Sequence, residues 1–562
     1  MSLIKILPAD LRNKIAAGEV IERPASVVKE LIENSIDAES TDIRINVLYG
    51  GKHLIRVSDN GIGMDKEDSL LALERHSTSK LLNEADLFNI RTLGFRGEAL
   101  PAIASVSKVK LITGTRDSSS GISLEMHGGE LKEMKESPPY KGTSIEVKDL
   151  FFNTPARRKF LKSNNTEIYH IIDTVTKTAI SHWDIGFSLM TDQHETMNLP
   201  VASGIKERLI QIFGNEFVGG LSEITANDEN TGLNAFVSNP QNFRKTRGNQ
   251  FIFVNRRPIK DQSISHAVYK AFEGILPQDN HPVFFVFIEI NPHRVDFNVH
   301  PTKREVRFDD KEAIYRFVNK STKEVIKAER TEYTKQFTES PVKNYPVQPI
   351  DTYSYTHPSR SSLQKSMVSE NIELSYKPFL PFIYLGDTFF AISGKGGLTI
   401  IDHHAAHERI LYEKLLKGMN SMSRQLLFPK QIRLSAKEYR VLLQNMDIMR
   451  SLGIEIDDFG NNTVIVRSLP DELNDADIDG ILSDIAAGLI EGTASKKSLK
   501  ENLAARIACH SSIRGKEILN KEEVSRLLDD LEKTEHPDQC PHGRPTRIFY
   551  SLNDLNKMFK RK

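Results

Sequence analysis

The chain has 562 residues, with 75 Lys and Arg balanced by 75 Asp and Glu; this length predicts two to four domains, each large enough for its own core. A formal net charge of zero excludes a global basic field, so any contact with nucleic acid has to come from local patches. Two cysteines, Cys509 and Cys540, exclude a disulfide scaffold, and neither the opening MSLIKILPADLRNK nor any later run approaches about eighteen apolar residues; both observations predict a cytoplasmic chain with reduced thiols and no membrane span.

In chain order, the first strong element is SVVKELIENSIDA. Val27, Val28, Leu31, Ile32 and Ile36 recur at helical spacing and predict the buried stripe of a helix. Glu30, Asn34 and Asp37 fall at i, i+4 and i+7, which places carboxylate and amide on one side, a turn apart. A hairpin should follow: Ile43, Ile45 and Val47 alternate, Gly50-Gly51 turns the chain, and Leu54 to Ser58 returns. Asp59-Asn60-Gly61 then ends the returning strand in a turn, predicted to present Asp59 at a sheet edge where it can accept from an exocyclic amine.

Two further pieces have the composition of a phosphate cradle. HSTSK offers Ser77, Thr78, Ser79 and Lys80, hydroxyls and a cation. In GFRGEAL, Gly94 and Gly97 free the backbone just before an apolar helix that starts at Ala99, and glycine-rich backbone entering a helix N-terminus binds anions. Gly61-x-Gly63 is no dinucleotide fingerprint, because the strand-turn-helix context is missing.

Together, in order, these pieces resemble the ATPase superfamily shared by type II topoisomerases, bacterial histidine kinases and MutL. KIAAGEVIERPASVVKELIENSIDA with GFRGEAL is similar to the DNA mismatch repair family of MutL. The resemblance implies an α/β (α+β) protein: an N-terminal ATPase sandwich of helices on a mixed sheet, a second small α/β domain, a flexible linker, and an α/β C-terminal dimerisation domain with an inserted regulatory subdomain. Glu30 would be the general base, Asn34 the Mg²⁺ ligand and Asp59 the adenine acceptor. Asp37, Gly61, Gly63, Ser77, Thr78, Ser79, Lys80 and Thr143 would line the ATP site. Gly94, Phe95, Arg96, Gly97, Glu98, Ala99 and Leu100 would form the phosphate lid. The chemistry implied is phosphoryl transfer to water, in which positioning and charge neutralisation dominate.

The ATPase domain is expected over 1–200, with Lys141-Gly142-Thr143 before its last nucleotide-site strand and FFNTPARRKFL as a transition at Pro155. Residues 201–330 alternate strand-like and helical patterns and predict the second α/β domain; by the resemblance, Lys303 in HPTKREV reaches the γ-phosphate. Polar residues 331–377, with scattered Pro, Ser and Tyr, predict a flexible tether spanning roughly 35 to 40 Å. Three basic clusters, Arg157-Arg158-Lys159, Arg244-Lys245-Thr246-Arg247 and Arg256-Arg257, are candidates for sequence-neutral contacts with DNA phosphates.

The C-terminal domain is expected over 378–562, with the regulatory subdomain at 426–507. Two strands around a Gly-rich turn should lead into a helix, with Asp402 ending a strand and His404 and Glu408 one helical turn apart. Cys540 and His542 share one side of an extended segment. Carboxylate, imidazole and thiolate suit zinc, or manganese where oxygen dominates. DHHAAHERILYE, AARIACHSS and CPHGRP resemble the endonuclease motifs of those family members that nick DNA. The match implies a metal site of Asp402, His404, Glu408, Cys509, Cys540 and His542, with Glu413 completing the first motif. His403 stands where the family usually has Gln, and His510 where a Lys or Arg is common. QLLFP at Gln425 to Pro429 lies where the family binds a sliding clamp, with Arg424 in the usual Gln position. The resemblance also implies a homodimer, a MutS-type mismatch sensor as partner, and an alternative in which the C-terminal metal is purely structural.

Overall fold

The computed structural model describes residues 17–18, 21–80, 92–94, 97–239, 248–273, 275–276, 280–297, 306–338, 382–385, 388–394, 396–417, 423–470, 473, 478–491, 501, 504–505, 507–508, 519–541 and 543–559. Five candidate site residues, Phe95, Arg96, Lys303, Cys509 and His542, lie outside them, as does the basic cluster at 244–247. The chain divides into two compact units, residues 1–329 with 419–506, and residues 330–418 with 507–562.

In the first unit, α1 (Pro24–Asp37) begins with Pro24 in the first turn, where a missing N–H costs nothing. Val27, Val28, Leu31 and Ile32 are at most 1% exposed, and burying each contributes roughly 1.5 to 3 kcal/mol. They pack with Ile43, Ile45, Val47 and Val57 in one cluster. These belong to the predicted hairpin, β1 (Asp42–Leu48) and β2 (Leu54–Asp59), which pair antiparallel. The turn between them needs Gly50 at φ 68°, with backbone of Asn164 too near for a Cβ.

β3 (Lys108–Gly114), β4 (Gly121–His127), β5 (Glu130–Ser137), β6 (Gly142–Lys148), β7 (Gly186–Thr191) and β8 (His194–Leu199) complete an eight-stranded sheet in the order β5-β4-β3-β6-β2-β1-β7-β8. It is mixed, because β1 and β7 run parallel while β1 and β2 run antiparallel. Two more helices, α2 (Ala99–Val106) and α3 (Asn164–Ser181), share its core. β2 lies between β1 and β6, so Asp59 stands at the end of an interior strand and not at a sheet edge. The turn signal located the strand end correctly, but strand order depends on β6, more than eighty residues later in the chain.

A second sheet has the order β12-β11-β13-β10-β9, built from β9 (Leu221–Asp228), β10 (Thr231–Ser238), β11 (Gln250–Val254), β12 (Arg257–Ile259) and β13 (Phe284–Ile290). β13 is buried along nearly its whole length and packs with α4 (Gln262–Ala271). β14 (Val295–Asp296) and β15 (Arg307–Phe308) make a short pair, followed by α5 (Lys311–Thr338). That helix runs into the segment expected as tether from residue 331: TEYTKQFT holds no Gly or Pro to stop it.

In the second unit, β16 (Phe382–Tyr384), β17 (Phe389–Gly394) and β18 (Gly397–Asp402) precede α6 (His403–Lys417), one strand more than the two expected. What read as one strand is two, β16 and β17, paired antiparallel, with the Leu385 amide donating to the Phe389 carbonyl at 2.8 Å. Residues 423–470, which belong to the first unit, hold a three-stranded sheet, β19 (Ser423–Arg433), β20 (Glu455–Gly460) and β21 (Thr463–Pro470), in the order β19-β21-β20. α7 (Lys521–Glu532) packs with α6 around Phe390, Ile401, Ile410, Val524 and Leu527, and β22 (Arg547–Ser551) pairs with β18. No described helix is long and apolar enough to cross a membrane.

Candidate nucleotide site and candidate metal centre

The polar side of α1 is where the sequence places it. Glu30 is partly exposed and lies 3.4 Å from Lys29 Nζ, which also pairs with Glu33 at 3.1 Å. Burial works against the Lys29 charge, but the two carboxylates outweigh it and hold its pKa above the ordinary value. Asp37 closes the helix at the negative end of its dipole, where a carboxylate is disfavoured unless donors surround it. Three do: the Leu93 amide at 2.8 Å, the Gly94 amide at 2.9 Å and Lys80 Nζ at 2.5 Å. Lys80 Nζ also donates to Asn34 Oδ1 at 3.1 Å. A cation thus sits between an amide oxygen and a carboxylate, a donor set that fits Mg²⁺.

The two pieces read as phosphate-binding meet. The His76 amide donates to the Gly97 carbonyl at 3.1 Å, and a Cβ on Gly97 would stand 2.4 Å from the Ser77 carbonyl oxygen, at φ 60°. Thr78 Oγ1 accepts from the Lys80 amide at 3.1 Å, folding Ser77, Thr78, Ser79 and Lys80 into one turn. Glu98 precedes α2, with Ala99 and Leu100 as its first residues.

Asp59 is cupped by three donors. Oδ2 accepts from Ser35 Oγ at 2.8 Å, and Oδ1 from the amides of Gly61 and Thr143 at 3.0 and 3.1 Å. Burial raises its pKa against these hydrogen bonds. Gly61 and Gly63 form the turn beyond it. Thr113 ties the floor together: its hydroxyl donates to the Gly142 carbonyl at 3.0 Å and accepts from the Met64 amide at 2.9 Å. Neither Ser35 nor Thr113 was singled out from sequence. Ser35 could have been, since it is the small hydroxyl residue between Asn34 and Asp37; Thr113 gave no signal.

In the C-terminal unit, Asp402 ends β18 and caps α6, its Oδ1 accepting from the Ala405 amide at 3.0 Å. His404 Nε2 lies 3.3 Å from Glu408 Oε1, and Glu408 is 2% exposed. Glu413, one motif position further, accepts the amides of Glu535 at 2.7 Å and His536 at 3.2 Å. Arg409 donates to the Gln539 carbonyl, and the Asp402 amide to the Thr546 carbonyl at 2.9 Å. The turn carrying buried Cys540 is therefore lashed along α6. Among the described residues no three His, Cys, Asp or Glu side chains converge as a metal cage; Cys509 and His542 fall outside them.

Residues 21–154 match the family described as histidine kinase-, DNA gyrase B- and HSP90-like ATPase, residues 209–327 the DNA mismatch repair protein C-terminal domain, and residues 383–519 the MutL C terminal dimerisation domain. The DNA mismatch repair protein MutL of Thermodesulfovibrio yellowstonii is 42% identical over 564 aligned residues, covering 100% of both chains. The chain belongs to the MutL family of DNA mismatch repair proteins. MutL of Caldanaerobacter subterraneus subsp. tengcongensis is 37% identical over 589 residues, again covering 100% of each. Among solved structures, the Aquifex aeolicus MutL ATPase domain complexed with ADP is 31% identical, covering 49% of this chain and 94% of its own, with a TM-score of 0.38. As a MutL, the chain carries an ATPase domain and a dimerisation domain.

Two of the clusters offered for DNA look different in this MutL. Arg257 is 6% exposed, so its side chain is taken up within the protein, while its neighbour Arg256 is exposed and pairs with Asp184 at 2.9 Å. Arg157 is half-buried beside Gly18, while Arg158 and Lys159 are exposed.

Proposed function

We propose that this MutL is a homodimeric, ATP-driven clamp that engages DNA without sequence preference, couples a MutS-type mismatch sensor to repair, and nicks one DNA strand at its C-terminal unit. The observation that carries the nucleotide half is Lys80 held between Asn34 and Asp37, on the helix that presents Glu30. Asp59 orients the adenine through its exocyclic amine while Ser35, Gly61 and Thr143 fix the carboxylate. Glu30 takes the proton of the attacking water. Asn34 would hold Mg²⁺, which when bound neutralises phosphate charge. Glu30→Ala should keep ATP binding and lower turnover by roughly 10² or more; unchanged turnover removes Glu30 from this role.

For nicking, the residues that would hold zinc or manganese are Asp402 at the end of β18, His404 and Glu408 one turn apart on α6, and Cys509, Cys540 and His542; of these, His404 and Glu408 lie 3.3 Å apart. The metal would stabilise charge at a phosphodiester. Supercoiled plasmid incubated with Mn²⁺ should be nicked by the unsubstituted protein and not by Asp402→Asn or Glu408→Lys. Equal nicking by all three, or by none, favours the alternative of a matchmaker with a purely structural metal. A clamp contact through Gln425 to Pro429 is supported by the irregularity that takes Leu426 to Pro429 out of the β19–β21 register, with Phe428 88% exposed.

A further inference from the structure

Arg257 opens β12, in the second sheet, yet its side chain reaches the nucleotide site of the first. The guanidinium stacks 4.7 Å from the centre of the Phe297 ring and donates to the Thr92 carbonyl. Burying a guanidinium this completely is costly, and an apolar side chain against Phe297 would join the two elements at lower cost. The cost points to the hydrogen bond as the feature that requires arginine. Thr92 is an informative acceptor. Its own hydroxyl donates to the Gly94 carbonyl at 2.8 Å, and the next two amides, Leu93 and Gly94, are those that bind Asp37.

Three consecutive residues at the entry to the phosphate loop are thus held from both sides: by an arginine on their carbonyl side and by the carboxylate closing α1 on their amide side. We propose that Arg257 is a positioning residue for ATP hydrolysis. It fixes Thr92–Gly94 so that the loop presents its backbone to phosphate only when the second sheet is seated. The proposal rests on reading residues 94–100 as the phosphate loop. A DNA contact is the competing use of this arginine, but the side chain would first have to leave Phe297 and Thr92.

The test uses the full chain. Arg257→Met keeps an apolar stem against Phe297 and removes the donor; Arg257→Lys keeps the charge on a smaller head. Hydrogen exchange across 92–94 without nucleotide should quicken about tenfold in Arg257→Met, the change expected for one lost charge-assisted hydrogen bond, and less in Arg257→Lys. The KM for ATP should rise by a similar factor, with kcat changed less and the melting temperature nearly unmoved. Unchanged exchange overturns the proposal, as does faster exchange with an unchanged KM, which would make the contact structural only. Weakened DNA binding with unchanged exchange overturns it in favour of the DNA contact. Should Arg257→Met not fold, the exchange of Arg257→Lys decides by the same criterion. Protection of 92–100 by a non-hydrolysable ATP analogue in the unsubstituted chain tests the loop reading separately.

Discussion

At the scale of single residues, Asp59 shows how a site is set by partners that share no local sequence with it. Its carboxylate is raised in pKa by burial and needs every donor it has. Ser35 Oγ at 2.8 Å is a side-chain donor among them, so Ser35→Ala should weaken binding of ATP about tenfold or more, the worth of one hydrogen bond to a charged group. Titration calorimetry checks this, and equal affinity would dismiss Ser35. His182 gives a second residue-scale prediction. It is buried at the end of α3, with Nδ1 3.1 Å from the Thr178 carbonyl oxygen, and burial lowers its pKa to about 4. Below the unfolded value of 6.5 the unfolded chain takes up a proton that the folded chain refuses. Its contribution is therefore complete above pH 6.5 and drains away toward pH 4, by about 3 kcal/mol in all. Stability measured at pH 7 and pH 5 should fall by about 2 kcal/mol more in the unsubstituted chain than in His182→Gln; parallel losses would show that His182 does not set the slope.

At the scale of elements, the turn from Asp59 to Met64 depends on one position. Gly63 has φ +71°, and a Cβ there would stand 2.1 Å from the Gly114 carbonyl oxygen. Gly63→Ala should cost about 2 to 3 kcal/mol and loosen nucleotide binding with it; denaturant unfolding of the ATPase unit that matched the unsubstituted chain would contradict this. The elements themselves were largely legible. Helical spacing gave α1 with Glu30, Asn34 and Asp37 on one side, alternation gave β1 and β2, and the strand-to-helix step gave Asp402 before His404 and Glu408. What was not legible was the company these residues keep. Asp59 was expected at an edge because a turn marks a strand end, whereas β6 arrives on its open side from far along the chain. Asp37 read as one more site carboxylate; its amide partners Leu93 and Gly94 are more than fifty residues away. Glu413 looked like part of a metal motif, and it binds backbone amides that seat the Cys540 turn. Arg257 read as a candidate contact for DNA phosphates, and neither its own burial nor its partners Phe297 and Thr92, forty and more than a hundred and sixty residues away, could be seen from Arg-Arg alone. Periodicity reports which side of an element is polar, but not which distant element covers it.

At the scale of the whole molecule, a dimerisation domain has to leave apolar surface uncovered in one copy of the chain. The second unit does so. Ile383 of β16, Ile548 and Phe549 of β22, and Leu552, Met558 and Phe559 beyond it are 47 to 77% exposed, all within the small sheet and its final helix. Single exposed apolar side chains are ordinary, but a run of them along the edge strand β22 and the Leu552–Met558 helix that follows it, with Ile383 on the opposite edge strand β16, marks an association surface. Burying Phe549 alone would contribute roughly 1.5 to 3 kcal/mol per copy. In a symmetric interface each substitution acts twice. Phe549→Glu should therefore weaken dimerisation by at least about 3 kcal/mol, more than a hundredfold in the dissociation constant. Analytical ultracentrifugation at micromolar concentration would then find monomers where the unsubstituted chain sediments as a dimer. Arg158→Glu, an exposed position in the other unit, serves as a control and should leave the dimer intact. If Phe549→Glu remains dimeric, the surface that holds two copies together lies elsewhere, and the exposed residues of β22 must serve another partner.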